Sequence, residues 1–184
     1  GPFSLLRKQV DTVYARGLRI SVPPGDARDK IRGPNDSGEP SEIIVNNFIT
    51  EDGSLQFVPR DPGKKPLTFG IHNLHVRNVG FGLPMPFEAL LTNPIPTGLV
   101  RAEGEFGPWL RDDVAQSPLS GHYVFTDADL ASINGIGGTL QSTGIFSGTL
   151  RRIEATGDAR VPDFNLELGG RPLPLVANFS AVIA

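Results

Sequence analysis

Strict alternation of apolar side chains runs through the last segment of the chain, Leu173-Pro-Leu-Val-Ala-Asn-Phe-Ser-Ala-Val-Ile-Ala184. Its even-numbered positions are mixed, whereas its odd-numbered positions are apolar throughout: Leu173, Leu175, Ala177, Phe179, Ala181 and Ile183. Successive side chains of a strand point to opposite faces of a sheet, so this pattern predicts a half-buried β-strand. Because a natural terminus rarely stops inside such a run, we expect the chain to be a segment of a longer protein.

The same two-residue period recurs along most of the chain, interrupted by glycine and proline. It predicts strands over 10–22, 42–49, 55–58, 67–76, 86–92, 98–106, 120–126, 137–148, 150–160 and 164–168. Asp52-Gly53, inside the polar stretch 51–54, predicts a hairpin between the second and third of these strands. A one-residue phase change near His72-Asn73 predicts a β-bulge, and Gly169-Gly170 predicts the last tight turn.

Two polar stretches and one short helix complete the pattern. The segment 25–41 has a single isoleucine among charged residues, glycine and proline, so we expect a flexible loop there, and 59–66 is a second polar loop. The best helix candidate is 127–133, one or two turns with Thr126 or Asp127 as its cap. The sequence therefore predicts one mostly β domain over 1–184. It is an antiparallel β-meander curved into a groove or sandwich, with at most one or two short helices.

A long meander with one apolar face has to cover that face with a second layer or with a ligand. Glycine and phenylalanine recur in the chain, since Gly104 and Phe106 are echoed by Gly144 and Phe146, a spacing that suits a sheet built from similar strands. An open groove and a closed sandwich with a dry core both satisfy the requirement. The sequence leaves these two alternatives open.

Composition excludes several classes of function. The 17 basic and 20 acidic residues give a net charge of −3, which argues against a protein that tracks nucleic-acid phosphates. The chain has no cysteine, so disulfides, thiolate metal sites and cysteine nucleophiles are all excluded. We expect no cofactor and no nucleic-acid partner.

The motifs that resemble metal or nucleotide sites fail in their context. His72 and His75 are separated by three positions, whereas a strand brings two ligands to one face at a separation of two. A calcium loop that begins at Asp127 would need glycine at Ser132 and glutamate at Gly138. The glycines of 135–138 lead into a predicted strand, where a dinucleotide fingerprint requires a helix. We therefore expect no metal site.

Catalytic residues are equally hard to assign. Glu103 and Glu105 share one strand face, with Asp112 and Asp113 nearby, and a polar solvent-facing surface explains them. No serine lies in a Gly-x-Ser-x-Gly elbow. Trp109 is either an aromatic anchor for a partner or a core residue. The expectation is a protein that is not an enzyme, with a hydrolase using Glu103, Asp112 or Asp113 as the remaining alternative.

The stretch from Leu18 to Ile183, which is most of the chain, resembles the AsmA-like family of bacterial envelope proteins, which are relatives of TamB. The segments that carry the resemblance are Gly17-Leu-Arg-Ile-Ser-Val-Pro-Pro24, Pro84-Met-Pro-Phe87, Phe106-Gly-Pro-Trp109, Phe125-Thr-Asp-Ala-Asp-Leu130, Gly137-Gly-Thr-Leu-Gln-Ser-Thr-Gly-Ile-Phe-Ser-Gly148, Val161-Pro-Asp-Phe164 and Gly170-Arg-Pro-Leu-Pro-Leu175. Members of that family have an N-terminal membrane anchor and a long periplasmic β-sheet body that curls into an apolar groove. The matching segments belong to the scaffold, and they bring no catalytic residue with them.

The resemblance implies a periplasmic segment of a parent protein that is anchored to the inner membrane. Its apolar sheet face would bind or conduct phospholipid acyl chains in outer-membrane biogenesis, beside neighbouring repeats of the parent chain. Membrane contact would occur only through an anchor outside this sequence. The side chains expected to face lipid are Leu140, Phe146, Leu173, Leu175, Phe179 and Ile183. A structural or protein-binding β-module of the envelope, without a lipid ligand, is the alternative.

Limited proteolysis tests the assignment of 25–41 as a flexible loop. That segment has too little apolar area to offset the entropy of ordering it, so trypsin should cleave first after Arg28, Lys30 or Arg32. Mass spectrometry of the earliest fragments identifies the cleavage sites. Early cleavage elsewhere, with 25–41 resistant, would contradict the assignment.

Overall fold

The computed structural model describes residues 8–22, 24, 43–80, 82–110, 113 and 116–183. The loop predicted at 25–41 lies outside these residues. Eleven strands are described, β1 Lys8–Arg16, β2 Arg19–Val22, β3 Ile43–Phe57, β4 Leu67–Val79, β5 Met85–Pro94, β6 Thr97–Phe106, β7 Pro118–Asp129, β8 Ile136–Gly137, β9 Thr139–Thr149, β10 Arg152–Leu166 and β11 Leu173–Ile183.

All of these strands belong to one sheet with the order β1-β3-β4-β5-β6-β7-β9-β10-β11. From β3 to β11 the pairs along this path are antiparallel, whereas β1 and β2 both pair with β3 in parallel. The short β8 pairs with the far end of β10. The sheet is open and curled, and it does not close on itself. The prediction of a mostly β fold is confirmed, and the curled open sheet replaces the closed sandwich.

The hairpin predicted at Asp52-Gly53 is wrong, because β3 runs through this dipeptide without turning back. Asp52 has a φ of 54°, which kinks the strand where Gly17, with a φ of 72°, separates β1 from β2. Gly53 permits the close approach of Leu18, whose carbonyl accepts a hydrogen bond of 2.8 Å from the amide of Ser54. A Cβ at position 53 would lie 2.7 Å from that carbonyl oxygen. The local turn signal therefore produces a kink shared by two neighbouring strands.

The β-bulge predicted near His72-Asn73 is confirmed. The register between β4 and β5 shifts between Ile71 and Asn73. Because of this shift, Ile71 and Leu74 share one face of the sheet although three positions separate them, since their partners Leu91 and Ala89 alternate regularly.

The helix predicted at 127–133 is reduced to a single 3-10 turn, Leu130–Ser132. Its cap is Asp129, whose carboxylate accepts a hydrogen bond of 2.9 Å from the amide of Ala131, so the predicted caps Thr126 and Asp127 are wrong. Asp127 has a φ of 54° and lies in a bulge of β7. The strands predicted at 150–160 and 164–168 are one strand, β10, and Gly169 and Gly170 form the predicted turn into β11.

The strands β4 to β7, β9 and β10 each have one apolar and one polar face. Val100, Ala102 and Phe106 of β6 share a face with Leu119 and Phe125 of β7, and we call this side of the sheet the apolar face. On β6 and β7 its side chains are less exposed than their sequence neighbours. The opposite side, the polar face, has the charged side chains of these strands.

Aromatic rings on the apolar face lie over glycines of neighbouring strands. Gly104 and Gly121 are paired with each other between Phe87 and Phe146, whose ring centroids are 6.4 Å apart. A Cβ at Gly121 would lie 2.6 Å from Cζ of Phe146. Glycine is therefore required at both positions: the Phe146 ring and the backbone of β6 occupy the side-chain space at Gly121, and the backbone of β7 occupies it at Gly104.

The substitution Gly121→Ala tests this packing. The added methyl group meets Phe146 and the backbone of β6, so the free energy of unfolding should fall by about 2 kcal/mol or more. Gly70→Ala is the matched control, because its Cβ would lie 3.7 Å from Cβ of Thr92, an ordinary contact. Urea unfolding measures both variants. Equal stabilities of the two variants would contradict the packing argument.

Candidate functional site

The six side chains predicted to face lipid all lie on the apolar face. Leu140 and Phe146 belong to β9, and Leu173, Leu175, Phe179 and Ile183 form a row on β11, which we call the β11 row. The register places Phe179 beside Gly157 and Ile183 beside Ile153 on β10. The structure thus brings all six residues to one face, in two groups separated by the small side chains of β10.

The β11 row is open to solvent. The exposed fractions are 66% for Leu173, 42% for Leu175, 36% for Phe179 and 40% for Ile183. Extensive contacts between the described strands occur only between neighbours in the sheet, so no second layer covers these side chains. Of the two alternatives left by the sequence, the structure favours the open groove for this row.

Buried apolar side chains are few in the described part of the chain. They are Ile71, Met85, Ala89, Ala128, Leu130 and Val161. A domain of this length normally buries a much larger core, because surface grows more slowly than volume. The apolar face is therefore a half-exposed surface with small buried clusters, and it is not the interior of a sandwich.

Local segments cover the apolar face near its two ends. At one end, Trp109 packs edge-on against Phe106, with ring centroids 5.5 Å apart. Ser117 is fully buried there, and its hydroxyl accepts a hydrogen bond of 3.0 Å from the amide of Leu110. At the other end, the 3-10 turn brings Leu130 close to Gly138, whose carbonyl accepts the amide hydrogen bond of Leu130. Trp109 thus acts as a packing residue, the second of its two predicted roles.

One phenol lies among the apolar side chains of this face. Tyr123 is hydrogen-bonded to Ser142 across 3.1 Å, and its hydroxyl lies over Gly144 and Gly157. Burial raises the pKa of Tyr123 above 10.0; the hydrogen bond to Ser142 opposes this shift, and the charge of Asp158 adds to it. The apolar face therefore contains a neutral polar pair that is satisfied within the protein.

On the polar face, the histidines and the glutamate that the sequence suggested as metal ligands or catalytic groups each have a side-chain partner. His72 is hydrogen-bonded to Thr92 at 2.6 Å, and His75 to Asn47 at 2.9 Å. Glu103 is paired with His122 at 2.5 Å. Among the described residues, no three histidine, aspartate or glutamate side chains are placed to hold a metal ion.

The carboxylates considered for hydrolysis are not brought together. Asp113 is ion-paired with Arg151 at 3.0 Å, Glu103 is hydrogen-bonded to His122, and Asp112 lies outside the described residues. Glu103 and Glu88 face each other beside a shallow depression of about 260 Å³ on the polar face. Glu88 is itself paired with Arg77 at 3.4 Å, so each of the two carboxylates already has a side-chain partner.

Sequence reasoning missed the contribution of β5–β7 to the apolar face. Phe87, Tyr123 and Phe125 lie on this face next to glycines of the neighbouring strands. Those glycines are the feature of the sequence that could have indicated where the rings lie. Gly98, for example, would place a Cβ 2.8 Å from Cε2 of Phe125. The sequence alone does not show which ring covers which glycine, because that depends on which strands are neighbours and on their register.

The fold and this face define an open, curled and amphipathic β-sheet protein. Comparison with protein-family models, curated proteins and solved structures finds no match to the chain. The part of the chain that the structure describes contains no helix with the length and apolar character needed to cross a membrane.

Alkaline titration tests the environment of Tyr123. The chain has two tyrosines, so Tyr14→Phe leaves Tyr123 as its single phenol. In the folded variant, ultraviolet absorbance should show ionisation above pH 10.0, because burial disfavours the phenolate. Ionisation at or below pH 10.0 would contradict the burial.

The same shift predicts a loss of stability at high pH. The folded pKa is raised, so its contribution is fully present below pH 10.0 and is lost as pH rises through the folded pKa. Tyr123→Phe should remove this part of the alkaline decline in the free energy of unfolding, whereas Tyr14→Phe should keep it.

Proposed function

We propose that the apolar face binds acyl chains of lipid as a segment of a cell-envelope protein. The observation that carries the proposal is the exposed β11 row on the apolar face of an open, curled sheet. An exposed apolar surface of this kind is characteristic of an interaction site. An acyl chain covers such a surface through the hydrophobic effect and requires no directional contact from it.

The chemistry of the face supports an apolar ligand. From β4 to β11, the described side chains of this face include one ionisable group, Tyr123, and its hydroxyl is hydrogen-bonded to Ser142. A ligand with a charged or strongly polar body would lose hydration there and would find no partner. A hydrocarbon chain has no such cost.

The polar face has the properties of a solvent-facing surface, which leaves the apolar face as the side that binds a ligand in this proposal. Arg152 is paired with Glu154 at 3.0 Å, and Glu103 with His122. These side chains are more than half exposed, so this side needs no further covering layer.

The sequence resemblance to AsmA-like proteins specifies the ligand and the location in the proposal. The ligand is a phospholipid, conducted through the periplasm toward the outer membrane. The parent protein has an inner-membrane anchor, and neighbouring repeats extend the groove. The alternative is a structural or protein-binding β-module without lipid, which the exposed edge of β11 favours.

The substitution Phe179→Asp tests the lipid proposal. The carboxylate can reach water at this partly exposed position, so the free energy of unfolding should fall by about 1 kcal/mol. Affinity for phosphatidylethanolamine with a fluorescent acyl chain should fall about ten-fold or more, because the charge faces the apolar ligand. Mass spectrometry should also find less lipid retained after native purification.

Ser180→Asp is the matched control for this experiment. It places the same charge on the same strand, on the polar face opposite Thr156, and should leave binding of the fluorescent lipid unchanged. Unchanged binding in a folded Phe179→Asp variant would overturn the proposal. A natural chain that retains no lipid and does not bind the probe would support the structural module.

A further inference from the structure

Strand β11 exposes every one of its eleven residues, on both faces and along its free edge. Apolar side chains occur on the polar side as well, where Val176 is 70% and Val182 is 49% exposed. The strand contains no charged residue, and its single proline lies near one end. Proteins usually protect edge strands with charges, bulges or proline, because an unprotected edge pairs with other strands.

The opposite edge of the sheet has a different character. On β1, Gln9 donates a hydrogen bond of 2.8 Å to Asn46, and Asp11 accepts one of 3.3 Å from the same residue. Arg16 at the end of β1 lies near Glu51 and Asp52 of β3. Pairing of β11 with the β1 edge of another molecule would therefore place the β11 row beside polar and charged side chains.

The sequence of β11 is suited to antiparallel pairing with itself. A two-fold axis perpendicular to the sheet, midway between the Asn178 residues of the two copies, pairs all eleven residues. It keeps the apolar faces of the two sheets on the same side. Leu173 then faces Ile183, Leu175 faces Ala181, and Ala177 faces Phe179 of the second copy. Within the chain, Phe179 already lies beside a small residue, Gly157, so the new pair repeats an existing arrangement.

We propose that two copies of this chain associate through β11, antiparallel and centred on Asn178. No like charges oppose each other in this pairing, and the Asn178 side chains of the two copies can exchange hydrogen bonds. Eleven residues extend about 37 Å at the rise of an antiparallel strand. The paired molecules form one sheet, and its apolar face continues across the two-fold axis.

Sedimentation velocity of the 184-residue chain tests the association. It should detect a species of twice the 19.7 kDa chain mass. Asn178→Lys places two like charges opposite each other at the axis, and should raise the dimer dissociation constant about five-fold or more at low salt. Within one chain the new lysine faces Asp158, so the fold should be preserved. Thr143→Lys is the matched control, because it also faces Asp158 and lies away from the edge.

Disulfide trapping tests the register independently. The chain has no cysteine, so Asn178→Cys introduces a single thiol that faces its copy across the axis. Facing residues of an antiparallel pair have Cα atoms about 4.5–5.5 Å apart, within the range that a disulfide spans. Oxidised glutathione should therefore convert this variant to a covalent dimer. Val176→Cys, which is also at an exposed position of the same strand, should stay largely monomeric because its partner is Ser180.

Three results would overturn the proposal. The first is a chain that sediments at 19.7 kDa at every concentration. The second is a dimer that Asn178→Lys leaves unchanged, or equal disulfide yields at positions 176 and 178. The third is a mass that grows steadily with concentration, which indicates head-to-tail pairing of unlike edges.

Discussion

The packing of aromatic rings over glycines on neighbouring strands is the interaction on which the rest of the structure depends. A sheet without a second layer has to obtain its apolar contacts from side chains of its own strands. Phe146 over Gly121 and the Tyr123 hydroxyl over Gly144 and Gly157 provide these contacts. Because the rings lie across the strands, they add apolar contacts between neighbours to the backbone hydrogen bonds of the sheet.

Much of the fold could be predicted from the sequence, because a two-residue period records which side of a strand faces water. The bulge at His72-Asn73 was visible as a phase change, and the turn at Gly169-Gly170 as a glycine pair. The hairpin at Asp52-Gly53 was wrong, since the same residues serve equally well in a kink. The carbonyl of Leu18, which the sequence places 35 residues away, decides between the two conformations.

The candidate site was predicted less completely than the fold. Alternation placed the β11 row on one face, and the structure shows that row together with Leu140 and Phe146 on the same side of the sheet. Whether the face was open could not be predicted, because closure depends on the curvature and edges of the entire sheet. The sequence also could not show that β1 and β2 each pair with β3 in parallel, because apolar alternation is the same for either strand direction.

The small side chains of β10 have a consequence for movement along the sheet. Ala155, Gly157 and Ala159 form a low track between Phe146 of β9 and Phe179 of β11. A hydrocarbon on this track meets no charged group, and the one hydroxyl that lies over it, that of Tyr123 at Gly157, is already hydrogen-bonded to Ser142. The proposed binding of an acyl chain there rests on non-directional contact alone, which does not fix the chain at one position along the strand. If the proposed lipid binding holds, such a surface suits the passage of an acyl chain better than its storage.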